Sequence, residues 1–353
     1  MTTHPQARLT FDEAPLRVYW ELTRACDLAC RHCRAEAVSR RHPEELTTVE
    51  GLHLLERLAA FGSPRPRLVL TGGDPLKRPD LWVLIAAAWA LDLPVSVAPS
   101  ATPLLRPTEI RCLKQAGVEA ISLSLDGATP ARHDAVRGVG GTFQRTLEAA
   151  GAARQAGLPF QINTLVAAET LDELPAIYLL ASELGAARWS LFFLVSVGRA
   201  TLLEQIRPAE AEDVMRWLAE LSGRGSGPVV ATTEAPQFRR VLLQRHRGAG
   251  AHGAGVRDGN GIMFISHTGD VQPSGFLPLS AGNVRTEDVV AIYRDSPLFR
   301  RLRRPAFFAG RCGRCEFRAH CGGSRARAYA ASGDPFTEDP LCPYEPRVAA
   351  ARE

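Results

Sequence analysis

The sequence predicts an α/β protein: an open parallel sheet built from strand–helix repeats, followed by a small C-terminal α+β part that carries cysteines. Three observations predict it. Residues 17–194 alternate short apolar runs with longer runs of helical periodicity, six times over. Gly62, Gly117, Gly157 and Gly185 stand where the helices end, as C-capping glycines do. The eight cysteines fall into an early group of three and a late group of four, with Cys112 alone between them.

Each element has its own local reason. Residues 17–22 form an apolar run that enters the first cysteine group. Residues 47–61 have helical periodicity; Thr47 is an N-cap, and Glu50 three residues on completes a capping box. Residues 68–71 read as the second strand and end at the turn Gly72-Gly73-Asp74-Pro75. Helices over 81–91, 108–116, 143–156 and 171–184 then alternate with strands over 94–98, 120–125, 160–166 and 189–195. Alternation of this length implies parallel strands joined by right-handed crossovers. Six units are too few to close an eight-stranded barrel. Groups at the C-terminal strand ends would share one rim, as in full barrels.

Downstream come a helix over 211–221, a Gly/Ser linker over 223–227 and a strand-like run over 229–232. Residues 247–261, rich in Gly, Arg and His, read as a mobile loop. Residues 262–272 read as a β-hairpin turning at 267–270. Residues 289–302 read as one amphipathic helix.

A chain of 353 residues has room for two or three domains, or for one barrel with an appendage. Its 45% hydrophobic and 23% charged content are those of an ordinary globular enzyme. No run is long and apolar enough to cross a membrane, and the N-terminus lacks the order of a signal peptide, so a cytoplasmic location and no membrane contact are expected. Cysteines in such a chain point to metal or catalysis rather than to disulfides. The net charge of +4 gives nucleic-acid binding no support. Only Lys77 and Lys114 are lysine; the arginine excess suits carboxylate or phosphate recognition, and equally follows from base composition.

Cys26, Cys30 and Cys33 form CxxxCxxC. Three thiolates can hold three irons of a 4Fe–4S cubane and leave the fourth open to chemistry. Zinc is the alternative, but structural zinc wants four ligands and His32 is badly placed beside Cys33. The late group is Cys312-x2-Cys315-x5-Cys321, then Cys342, a set that suits zinc or an iron–sulfur cluster. Cys112 reads as a core thiol in a helix.

The triplet, the Gly72-Gly73-Asp74-Pro75 turn and the segment Ser122-Leu-Ser124-Leu-Asp126-Gly127 with His133-Asp134 and Arg137-Gly138 resemble the radical S-adenosylmethionine (SAM) superfamily. The resemblance implies a partial (β/α)6 TIM-like barrel and a cluster whose open iron holds SAM. SAM cleavage then gives a 5′-deoxyadenosyl radical that abstracts hydrogen from a substrate. It also implies that Gly72, Gly73, Asp74, Ser100, Ser124, Arg137 and Asn163 help to hold SAM, and that His32 lies against the adenine. Plain alternatives stand beside these: a cap for Ser100, a structural salt bridge for Arg137, a satisfied strand amide for Asn163.

The late cysteines, with Gly269-Asp-Val271, Gly282-Asn-Val284 and Cys321-Gly-Gly, resemble a SPASM/twitch-like domain. Such domains ordinarily hold two auxiliary clusters. Here Ser274 and Arg325 stand where two of the cysteines are expected, which leaves ligands for one auxiliary 4Fe–4S cluster. Cys321-Gly-Gly-Ser-Arg325-Ala-Arg327-Ala-Tyr329 resembles the radical SAM enzymes of haem d1 and alternative haem biosynthesis. That resemblance implies a tetrapyrrole substrate, with Arg325 and Arg327 either gripping its carboxylates or bracing the cluster loop. Maturation of a ribosomally made peptide is the second reading. The roughly fifteen residues before the first strand are too few for a peptide-binding domain, which favours the small molecule. An iron–sulfur or zinc-stabilised binding protein is the non-enzyme alternative. An electron donor such as flavodoxin or ferredoxin is implied as partner. The expected organisation is an extension over 1–15, a partial barrel over 16–207, a linker with a helix and mobile loop over 208–260, and an auxiliary-cluster domain over 261–347.

Overall fold

The computed structural model describes residues 11–245 and 255–347. Six strands follow the predicted alternation: β1 (Arg17–Glu21), β2 (Arg67–Thr71), β3 (Val95–Val97), β4 (Ala120–Ser124), β5 (Phe160–Val166) and β6 (Arg188–Phe193). They pair in parallel in chain order, and β7 (Val229–Thr233) adds a seventh parallel strand beyond β6. Between them lie α1 (Thr48–Ala59), α2 (Leu81–Ala90), α3 (Pro107–Gln115), α4 (Pro130–Arg137), α5 (Thr142–Gln155), α6 (Leu174–Leu184) and α7 (Pro208–Ser222). The predicted capping box forms: Thr47 Oγ1 accepts from the Glu50 N–H, and Glu50 accepts from the Thr47 N–H.

The hairpin behaves differently from a separate module. After α8 (Gln237–Arg245) and the short β8 (Arg257–Asp258), β9 (Gly261–Ile265) pairs parallel to β1 on the side opposite β2. Then β10 (Asp270–Gln272) pairs antiparallel with β9, and β11 (Gly282–Asn283) with β10. One sheet of order β11-β10-β9-β1-β2-β3-β4-β5-β6-β7 therefore runs across residue 261 without a break. β1 lies inside it and leads straight into the first cysteine group. The main core reflects this continuity, since Val18 and Trp20 share it with Val271, Val289 and Tyr293.

Several local expectations need correction. The segment 130–137, to which the sequence reading assigned no element, is helical, begun by a Thr129 N-cap and Pro130. Residues 168–173 form a 3-10 turn ahead of α6 rather than its first turn. The helix expected over 289–302 is two, α9 (Val289–Asp295) and α10 (Pro297–Arg303), because Pro297 cannot donate the bond that would join them. Of the loop expected over 247–261, residues 247–254 lie outside the described residues; Arg257 and Asp258 are buried and paired with β9. Cys112 is half-buried rather than a core thiol. Among the described residues no helix is long and apolar enough to cross a membrane.

Trp20 is fully buried, and α1 crosses it at Gly51, where a Cβ would stand 3.0 Å from the Trp20 ring and 2.9 Å from Leu84. Trp20→Ala leaves a cavity beneath the strand that carries the cysteine loop. Its cost is expected at about 3–5 kcal/mol, read as a lower midpoint in denaturant unfolding.

Candidate active site

All three early cysteines face one cavity of about 240 Å³ at the C-terminal edge of the parallel strands. The loop that carries them is fixed by main-chain contacts from three sides. Gly73 N–H donates to Thr23 O and Asp74 N–H to Ala25 O, both at 2.7 Å. A Cβ on Gly73 would meet Ala25 O at 2.5 Å and Arg24 O at 2.6 Å, and one on Gly72 would strike Thr23 O. The glycines are thus required because two backbones touch. Within the loop, Cys26 N–H donates to Val38 O at 2.8 Å, and Val38 N–H to Arg24 O at 3.1 Å. From the end of α4, Val136 O accepts from Arg31 N–H and Arg137 O from Ala29 N–H.

The sulfurs receive donors suited to thiolates. Leu28 N–H points to Cys26 Sγ and Ala37 N–H to Cys33 Sγ, each at 3.4 Å. Arg137 Nη1 lies 3.6 Å from Cys30 Sγ. Among the described residues no group of three Cys, His, Asp or Glu side chains converges on a point as one metal ion would require. A cubane asks for something else, one thiolate on each of several irons around a larger body, and Cys26, Cys30 and Cys33 all line the one cavity.

Of the residues expected around SAM, Gly72, Gly73, Ser100, Ser124, Arg137, Asn163 and His32 line the cavity. Ser124 and Asn163 are register partners on β4 and β5 and so face the same side. Asn163 Oδ1 accepts from Gln161 at 2.7 Å, which leaves its amide N–H groups uncommitted to that bond. Ser100 Oγ donates to Gly73 O at 2.8 Å and lies 3.5 Å from Cys26 Sγ. Asp74 is the exception. Its side chain is fully buried behind the wall, where it accepts from Leu76 N–H, Ser100 N–H and Thr102 Oγ1. Burial pushes its carboxyl up, against those hydrogen bonds. Asp74 therefore braces Ser100 from behind and does not line the cavity.

Arg137 pairs with Asp126 at 2.6 Å, so the structural salt bridge is realised. Burial alone would raise the Asp126 carboxyl, but Arg137 and the neighbouring histidines outweigh it and hold it low. Burial, then Arg137, pushes His32 down to about 4, so its ring is neutral at pH 7. Arg325 and Arg327 also differ from the carboxylate-gripping reading. Arg325 donates to Pro335 O and Thr337 O, while Arg327 pairs with Asp339 and donates to Leu194 O and Glu234 O. Both are fully buried braces.

Three groups at this rim escaped the sequence reading. Glu21, at the end of β1, accepts from His267 Nδ1 at 2.7 Å and pairs with Arg34 at 3.0 Å. Arg34 in turn lies 4.4 Å over the Phe264 ring. Phe192 and Phe276, 6.4 Å apart, bring the barrel and the C-terminal segment together on the cavity wall. Arg199 lines the wall as well. Its only sequence signal is a Gly-Arg pair after the sixth strand.

The late cysteines share a second, smaller pocket: Cys312, Cys315, Cys321 and Cys342 all line it. Asp339 N–H donates to Cys312 Sγ and Gly323 N–H to Cys321 Sγ, both at 3.4 Å, and Arg325 Nη2 lies 3.5 Å from Cys312 Sγ. Burial pushes the Cys321 thiol up to about 12 and the Cys342 thiol up to about 11. A bound metal centre would reverse that preference by stabilising thiolates.

The Radical SAM superfamily profile matches residues 20–181. The chain is 40% identical to an AdoMet-dependent heme synthase of Nitratidesulfovibrio vulgaris, covering 98% of both chains. It is 39% identical to a protein of the same name from Methanosarcina barkeri, over 96% of this chain and 99% of that one. Among solved structures, Streptococcus suis SuiB bound to S-adenosylmethionine superposes with a TM-score of 0.74 at 17% identity, covering 94% of this chain and 77% of that chain.

His133 provides a pH test of the site. Its Nδ1 accepts from the Asp126 N–H at 3.0 Å, and burial, then Arg137, pushes it down to about 4. The unfolded chain takes up this proton near 6.5, whereas the folded chain takes it up only near 4. Stability is therefore expected to fall as pH drops through that window. His133→Asn, which retains an acceptor, should reduce the slope by about one proton in equilibrium unfolding measured across it.

Proposed function

The chain belongs to the radical SAM superfamily, and from that premise we propose that it acts on a tetrapyrrole carrying propionate side chains, aided by an auxiliary 4Fe–4S cluster at Cys312, Cys315, Cys321 and Cys342. As a radical SAM enzyme it uses a 4Fe–4S cluster and SAM, which together supply reductive cleavage to a 5′-deoxyadenosyl radical and hydrogen abstraction from the substrate. Cys26, Cys30 and Cys33 would hold the irons of that cluster, with Arg137 and the loop N–H groups offsetting thiolate charge. Ser124 and Asn163 offer a hydroxyl and an amide one strand apart for the polar parts of SAM. The neutral ring of His32 suits contact with the adenine face, since it brings no charge into a buried wall. Phe192 and Phe276 narrow the cavity with apolar surface, which helps to exclude water.

One observation carries the substrate reading. The 40% identity to a heme synthase extends over nearly the whole length, and so takes in the late cysteine segment as well as the barrel. The aromatic wall supports it, because a flat macrocycle can lie on such surface. Oxidative removal of a propionate carboxylate leaves an electron over, and an auxiliary cluster close to the cavity would accept it. Arg327 connects the two regions directly: Leu194, which lines the cavity, and Asp339, which lines the late cysteine pocket, both bond to it.

Anaerobically reconstituted protein is expected to contain about eight irons per chain and no zinc. With dithionite, SAM and Fe-coproporphyrin it should form 5′-deoxyadenosine and a product that has lost carbon dioxide, seen by mass spectrometry. Cys30→Ala should abolish both. Near four irons with one zinc would overturn the auxiliary cluster. 5′-Deoxyadenosine formed over an unchanged tetrapyrrole would overturn the substrate and turn attention to a peptide.

A further inference from the structure

Three arginines line the main cavity, and two of them are committed. Arg137 is paired with Asp126, and Arg34 with Glu21. The third, Arg199, has Nε and Nη2 buried without a hydrogen-bond partner among the described residues. Arg199 as a whole is half-buried, but donor atoms withdrawn from water with no acceptor are costly, and a fold tolerates them where a ligand completes them. The two unpartnered atoms are informative. Nε and Nη2 form one edge of the guanidinium plane, the edge that presents two parallel N–H donors to the two oxygens of a carboxylate.

The backbone fixes where that edge stands. Arg199 N–H donates to Cys33 O at 3.1 Å. Gly198, at φ +55°, lets the segment approach the cysteine loop, since a Cβ there would meet Arg34 O at 2.5 Å and Cys33 O at 2.7 Å. Arg199 is thus tied through main-chain atoms to the loop that carries the catalytic cysteines. Its side chain can be changed without cutting the tie.

We propose that Arg199 is the carboxylate-binding residue of this cavity and receives a propionate of the substrate. The proposal rests on the tetrapyrrole reading above and deepens it, by naming the residue that sets which carboxylate is brought near the cluster. The methionine carboxylate of SAM has the same chemistry and is the rival occupant.

The test uses reconstituted holoenzyme as wild type, Arg199→Gln and Arg199→Lys, with three titrations: Fe-coproporphyrin, its methyl ester and SAM. Arg199→Gln is expected to weaken Fe-coproporphyrin binding by about 10- to 100-fold, and Arg199→Lys to recover part of that loss. The ester should bind wild type about as weakly as the acid binds Arg199→Gln, and should lose nothing further in the variant, which is the signature of a direct pair. Cluster absorption equal to wild type certifies that each variant is folded. Equal acid affinity in wild type and Arg199→Gln overturns the proposal, as does a loss that falls on SAM instead. Wild type that binds neither acid nor ester overturns the tetrapyrrole reading and this assignment together, a result distinct from wild type and variant binding alike.

Discussion

The contact on which the rest depends is the one between two backbones, Gly72–Asp74 and Thr23–Ala25. It has no room for a side chain at Gly72 or Gly73, and its two hydrogen bonds hold the start of the cysteine loop against the end of β2. Sheet order makes this possible. β1 and β2 are neighbours, so the cysteine loop and the glycine turn leave adjacent strand ends at the same rim. The cavity, the polar groups on β4 and β5, and the α4 terminus are all placed relative to a loop that this contact immobilises.

Buried arginine is the second theme. Arg78 donates to Leu22 O and Leu46 O, Arg240 pairs with Glu212, and Arg325 and Arg327 tie the late cysteine segment to its surroundings. A planar fork of donors satisfies several carbonyls and a carboxylate at once, which lysine cannot do. The arginine excess therefore has a structural use inside the molecule. It also makes the unpartnered edge of Arg199 informative, because the neighbouring guanidiniums on the cavity wall have found their anions.

Much of the barrel was legible in the sequence. The strands over 160–166 and 68–71 and the helix started by Thr47 follow from periodicity and cap chemistry that act over a few residues. The errors have equally physical causes. Pro297 splits a helix whose apolar pattern runs straight through it, and α4 shows no clear apolar pattern because its buried positions include His133 and Arg137, which face the site. The two cysteine sets, each of which lines one pocket, and the glycine turn could be picked out at sight, since close backbone contact and clustered thiols restrict residue type severely. That Asp74 lies behind the wall was not legible, because a carboxylate that braces a wall and one that lines a cavity look alike in a sequence.

The sequence by itself determined the order of strands and helices, the two cysteine sets and the glycines that let backbones meet. These rest on local geometry or on residues with few substitutes. Only the tertiary structure decided that the C-terminal hairpin extends the barrel sheet through β1, and which charges are satisfied. Glu21 meets His267 across 246 positions of chain, and Arg137 reaches Cys30 across 107. Pairing of that kind depends on how the sheet closes the distance between remote segments, and nothing in the spacing of residues along the chain encodes it.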